Sequence, residues 1–133
     1  MPTLPVIPTS ITVHLGAADS GAPNITVPFA GYIKNVASHE LYPTWPEAAL
    51  RANILAQISF ALNRIYTEYY RSRGYDFDIT STTARDQAYV KGGTVFENIS
   101  RIVDDIFNDY IVRQGSVEPL FAAFCDGVRT RCG

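Results

Sequence analysis

Between Ile11 and Leu15 apolar residues alternate with Thr12 and His14, the period-two pattern of a strand with one buried face. The turn-rich stretch GAADSGAPN follows, and Ile25-Thr26-Val27 is the expected partner in a small antiparallel hairpin. Ahead of the hairpin, Pro2, Pro5 and Pro8 lack N–H donors and hold residues 1–9 as an extended arm. At Phe29 the period becomes helical: Phe29, Ile33, Val36 or Ala37, and Glu40 recur along one face, which predicts a helix over 29–40 ended by Pro43. Thr44-Trp45-Pro46-Glu47 then reads as a new helix start, with Thr44 and Glu47 in capping-box spacing and Pro46 in the first turn. Leu50, Ile54, Ile58, Ala61, Leu62, Ile65 and Tyr69 form the apolar stripe of a long central helix over 46–73, with Gly74 as its stop. Arg51, Asn53, Gln57, Arg64 and Arg71 fall off that stripe.

Residues 75–91 join a short β-prone run, Phe77 and Ile79, to a polar segment, which predicts a strand followed by an exposed loop. A third helix over 97–114 packs through Ile99, Ile102, Val103, Ile106, Phe107 and Tyr110, with Asn98 as its cap and Gly115 after it. The apolar run Leu120 to Phe124 suits a buried strand. The sum is an α+β domain over 1–133, a long central helix and two further helices packed on a few short strands.

Composition narrows the function classes. The chain has 133 residues, 11 Lys+Arg against 13 Asp+Glu, and a net charge of -2. No basic stripe is present to neutralise phosphates, so nucleic acid is not an expected partner. No apolar run approaches the ~20 residues of a membrane span, and the N-terminus lacks the basic and apolar regions of a signal peptide. Two cysteines, Cys125 and Cys132, either close a small disulfide loop or stay free thiols, and are too few for a Cys-only zinc site.

Most carboxylates have structural explanations. Glu47 is a cap, Glu68 can pair with Arg64 or Arg71, and Asp104, Asp105 and Asp109 lie on the solvated face of the third helix. Glu40 differs. It ends a helix, where the dipole disfavours its charge, and Leu41, Tyr42 and Trp45 put apolar surface beside it in sequence. Both effects raise a carboxyl pKa, as a general acid at neutral pH requires, although a Glu at a helix end is more commonly just solvated. Tyr42 and Trp45 are candidates for stacking on sugar faces, and Trp45 reads equally well as a core anchor. His14 and His39 stand alone, without metal-ligand spacing.

The run VASHELYPTWPEAALRANILAQISFALNR, from Val36 to Arg64, resembles the signature of the stage II sporulation protein D family, in which a Glu closes one helix, a Pro and a Trp-Pro follow, and an Ala-rich helix comes next. FDITSTTARDQAYVKG, ENISRIVDDIFNDYIV and EPLFAAFCDG fall in the family's order, with a flavour of spore cortex-lytic enzymes. The resemblance implies a peptidoglycan lytic transglycosylase with Glu40 in the position of the catalytic Glu, Tyr42, Trp45, Gln87 and Tyr89 as substrate-binding residues, and a cell-wall or spore-envelope location. It implies peptidoglycan glycan strands, and other wall hydrolases, as partners. A glycan-binding module that assists a partner hydrolase without cleaving, and a structural envelope protein, are the alternatives.

Two departures from the pattern stand out. Many relatives hold zinc through Cys and His in the segment that here carries Thr80, Ala84 and Arg85, so neither a metal nor a cofactor is expected. The chain also stops about where the second half of the family's domain is expected, which reads as a piece or a minimal variant.

Overall fold

A computed structural model describes residues 7–107. Residues 1–6 of the expected arm, residues 108–114 of the expected third helix, the run at Leu120 to Phe124 and both cysteines lie outside the described residues. Strand β1, Ser10–His14, pairs antiparallel with β2, Asn24–Pro28, in a register that sets Val13 opposite Ile25. Helix α1, Phe29–Glu40, follows directly, then helix α2, Glu47–Tyr66, a short 3-10 turn at Arg71–Arg73, strand β3, Ile79–Thr80, and helix α3, Glu97–Ile106. β3 runs parallel to β1, with Val13 opposite Ile79, so the sheet order is β2-β1-β3. The return from β1 to a parallel neighbour needs a long crossover, and β2, α1 and α2 supply it.

The α+β class is the one the periodicity predicts. Ile11 and Val13 of β1 are buried, and the outward Thr12 and Thr26 hydroxyls meet at 3.0 Å across the hairpin. Tyr32, Ile33 and Val36 of α1, Leu50, Ile54 and Ile58 of α2, and Ile99 and Val103 of α3 complete one core with Ile79. Pro28, with its fixed φ, precedes the first residue of α1, and Leu41 leaves that helix extended ahead of Pro43.

Three local expectations are corrected. The capping box does not form. α2 begins at Glu47 after Pro46, without a side-chain cap, and Glu47 instead accepts a hydrogen bond from Arg51 one turn later. The central helix stops at Tyr66, earlier than Gly74, because Glu68 turns into the left-handed region at φ 52° and the Tyr69 N–H closes back on the Arg64 carbonyl. Gly74, at φ 90°, ends the short turn that follows. Asn98 is not the cap of α3, which begins at Glu97; its amide donates to the Pro43 carbonyl and ties α3 to the α1–α2 link.

The Asp104 and Asp105 carboxylates pair with Lys34 and Arg51, so ion pairs at the surface join α3 to the other two helices. Arg64 and Arg71 pair with Asp86 and Asp78, not with Glu68. α2 is also more enclosed than a single stripe implies: Asn53, Gln57, Ser59, Asn63 and Arg64 are buried along with its apolar residues.

Candidate active site

Glu40 is the last residue of α1, and its carboxylate joins three parts of the fold. Gln57, in the middle of α2, donates from Nε2 to Oε1 at 2.9 Å. The backbone N–H of Ala88, beyond β3, donates to Oε2 at 3.0 Å. Burial is the largest influence on the acid and raises its pKa above the ordinary 4.5, while the Ala88 and Gln57 donors pull it the other way. The direction agrees with the sequence expectation, but the surroundings differ. Leu41 is buried, Tyr42 is 66% exposed, and the polar contacts come from α2 and the segment after β3.

The sequence predicts an exposed loop there, and Thr83 to Arg85 are exposed, but Asp86 and Gln87 are interior. Asp86 is buried and its carboxylate is saturated: Arg64 Nε donates to Oδ1 at 2.8 Å, and Thr80 N–H at 3.0 Å, Thr80 Oγ1 at 2.5 Å and Tyr70 OH at 2.5 Å all donate to Oδ2. Burying these charges is tolerable because they face one another and both carboxylate oxygens find donors. Gln87, 3% exposed, accepts from Tyr32 OH and donates to the Gln57 carbonyl, both at 2.9 Å. Burial, and then the nearby Asp86 and Glu40 charges, raise the Tyr32 pKa well above its ordinary value, so the phenol stays a neutral donor.

Further along, Asn35 clasps Val90 like a strand partner, accepting from its N–H and donating to its carbonyl. Ser38 accepts from the Phe96 N–H. Gly93 lies so close to His39 that a Cβ there would fall 2.3 Å from the imidazole Cε1. The segment from Asp86 to Phe96 is thereby laced along α1, which sets the Ala88 N–H at Glu40.

Of the residues singled out in sequence, Glu40, Gln87 and Tyr89 are brought together: Gln87 holds the same Gln57 that meets Glu40, and the half-buried Tyr89 stacks on Tyr32 with ring centroids 5.5 Å apart. Tyr42 and Trp45 form their own pair, rings 5.7 Å apart, on the link that leaves Glu40. Trp45 is half-buried and packs against the core, while Tyr42 is free to be touched from solvent. The amide of Gln87 is committed within the fold, so it acts on a ligand only through what it holds. Gln57, Arg64 and Asp86 escaped the sequence reading; for Gln57 and Arg64 the signal was a polar side chain on a helix flanked by apolar residues on more than one side, and Asp86, in the segment after β3, carried none.

Among the described residues no group of three or more His, Cys, Asp or Glu side chains could hold a metal. Where many relatives hold zinc, Thr80 bonds Asp86, Ala84 has no donor atom, and Arg85 brings a positive charge, so the residues present do not fit that ion.

The hydrogen bonds of Glu40 make a measurable prediction. Its ionisation opposes folding, so its contribution to stability is full below pH 4.5 and is lost as pH rises through the folded-state pKa. Unfolding free energy measured against pH should show that decline in the parent and not in Glu40→Gln. Removing the Gln57 donor in Gln57→Leu should move the Glu40 midpoint still higher, as read by carboxyl carbon NMR. An unmoved or lowered midpoint would show that Gln57 does not hold the carboxylate.

Residues 22–106 match the family model described as stage II sporulation protein, SpoIID. The chain is also 30% identical over 97 residues to an uncharacterised protein of Brachyspira hyodysenteriae, an alignment covering 72% of this chain and 25% of that protein. The chain thus spans about a quarter of the length of that relative. No solved structure matches.

Proposed function

This chain belongs to the stage II sporulation protein family, and from that premise we propose that it is a lytic transglycosylase domain that cuts peptidoglycan between N-acetylmuramic acid and N-acetylglucosamine. Membership supports a sporulation-related role at the cell wall. The observation that carries the finer reading is the single carboxyl of Glu40, half-buried, raised in pKa and held by two N–H donors. Ordinary glycosidases use two carboxyls, and Asp86, the buried carboxylate among the described residues, has both oxygens occupied by Arg64, Tyr70 and Thr80.

A transglycosylase needs only one. Glu40 as the acid gives its proton to the glycosidic oxygen while the bond from that oxygen to the muramic C1 breaks. The carboxylate left behind takes the proton of the same sugar's C6 hydroxyl as the C6 oxygen bonds C1. A 1,6-anhydro end forms, no water is consumed, and Glu40 is again protonated. The Ala88 and Gln57 donors suit the carboxylate stage, and burial suits the acid stage. Tyr42, exposed beside this link, offers a ring for a sugar face, with Trp45 next to it. We further propose that 1–133 is a single domain, the N-terminal half of a stage II sporulation protein D-like domain.

One observation favours the non-catalytic alternative, a glycan-binding module: both hydrogen bonds to Glu40 come from donors, and donors hold a carboxylate better than an acid. Mass spectrometry of purified glycan strands incubated with this chain decides between them. Anhydro ends establish cleavage. Strands retained on the immobilised chain with no new ends establish binding alone.

A further inference from the structure

A cleft of about 370 Å³ opens beside the Asp86 cluster, between the turn at Ala17 to Asp19, the Tyr69 to Tyr75 connection and the residues after β3. Its chemistry is unlike the rest of this slightly acidic chain. Lys34, Arg51, Arg64, Arg71 and Arg101 each pair with a carboxylate. Arg73, Arg85 and Lys91 have no carboxylate partner among the described residues, and two of those three, Arg73 and Arg85, line this one cleft. Both are exposed.

The fold aims them. The Arg85 carbonyl accepts from Arg64 Nη2 at 2.9 Å while Asp86, the next residue, points inward to the same guanidinium. The Arg85 side chain is left on the cleft. The Arg73 guanidinium lies over the Tyr69 ring, 4.0 Å from its centroid, and donates to the Tyr69 carbonyl, which holds it in place with most of its N–H groups still open. Tyr69, whose ring carries the Arg64 and Arg73 guanidinium groups, and Tyr75 also line the cleft, and Asp19 puts one carboxylate among the lining residues.

We propose that this cleft binds the carboxylate carried by muramic acid or by its stem peptide, with Arg73 and Arg85 as the two cationic contacts. Guanidinium forks match a carboxylate in shape as well as charge, and Arg73, already held over the Tyr69 ring, loses little further freedom on binding. Asp19 complements an ammonium, such as the free amine of a peptide. The position is apt: Arg85 lies three residues before Ala88, whose N–H holds Glu40, so the two backbones are at most ~11 Å apart. On this proposal a glycan strand at Glu40 reaches the arginines with a neighbouring muramic acid or its peptide. The inference rests on peptidoglycan being the substrate, but its test does not need cleavage.

The full chain is titrated calorimetrically with three probes: N-acetylmuramic acid, N-acetylmuramoyl-L-alanyl-D-isoglutamine and the neutral tetramer of N-acetylglucosamine. The parent should bind at least one of the two acidic probes, more weakly as salt rises. Arg73→Gln and Arg85→Gln should each weaken that binding about fivefold, the upper range for an exposed ion pair, and leave the neutral tetramer unchanged. Arg85→Lys should recover part of the loss. Preference for the muramoyl peptide assigns the cleft to stem peptides, preference for N-acetylmuramic acid assigns it to the lactyl carboxylate, which the peptide bond consumes in the other probe, and equal binding shows that the arginines take either carboxylate. If neither acid binds, or if the arginine variants bind both acids as the parent does, the proposal is wrong. Anhydro ends produced at the parent rate by the double variant from peptide-free and peptide-bearing strands alike would overturn it while leaving the role of Glu40 intact.

Discussion

Replacing Glu40 by Gln should lower the formation of 1,6-anhydro ends by at least about a hundredfold, because a positioned acid–base group contributes typically ~10²–10⁴-fold and the amide has no proton of comparable acidity to give. The change should also be well tolerated by the fold. In the parent, Gln57 Oε1 is a buried acceptor with no hydrogen-bond partner among the described residues. An amide at position 40 keeps one oxygen for the Ala88 N–H and turns its NH₂ towards Gln57. If the Gln57 amide rotates, its Oε1 accepts, so a contact to the substituted side chain is kept. Glycan retention should therefore stay near that of the parent, since contacts to the ground state are untouched. Glu47→Gln is the comparison. Glu47 is exposed and meets only Arg51 one turn away, an interaction worth ~0.3–0.5 kcal/mol, so specific activity should not change. Full activity in Glu40→Gln, or its loss in Glu47→Gln, would remove Glu40 from the chemistry.

The largest effect on stability should come from Asp86→Asn. Four hydrogen bonds converge on the Asp86 carboxylate, one on Oδ1 from Arg64 and three on Oδ2 from Thr80 and Tyr70. Asparagine has a single oxygen. Whichever way its amide turns, an NH₂ faces either the Arg64 guanidinium or the three Thr80 and Tyr70 donors, and the buried Arg64 loses its counter-charge. Breaking one side of a buried pair costs about 3–5 kcal/mol. For a domain of this size that is a fall in Tm of ~10 °C or more. Asp78→Asn, whose partner Arg71 is well exposed, should cost no more than ~1 kcal/mol and serves as the control. Because Asp86 anchors the segment that carries the Ala88 N–H, any Asp86→Asn protein that still folds should show a Glu40 titration displaced upward. Equal stability of the two variants would mean that the Asp86 cluster does not hold the segment in place.

Read in order along the chain, the elements that depend on local pattern were legible. The alternation of Ile11 and Val13 with Thr12 marks β1, and the helical recurrence from Phe29 to Glu40 marks α1 to the residue, because each pattern follows from which side chains must leave water. Glu40 was legible too, through its place at the end of that helix and the Pro and Trp-Pro after it. Where local rules competed, the sequence did not arbitrate. Thr44 and Glu47 have capping-box spacing, yet Glu47 turns to Arg51, and Glu68 ends α2 although a glycine was available only later.

What no local rule contains is which distant residues meet. Gln57, Arg64 and Asp86 are polar and were read as facing water, because a single sequence carries no sign that a carboxylate 22 residues on will neutralise an arginine. Once β3 pairs with β1 and the next segment is laced to α1, those groups lose water, and each must find a partner within the fold. That requirement, met only in three dimensions, sets the Ala88 and Gln57 donors on Glu40 and turns the neighbouring Arg85 outward to the cleft it shares with Arg73.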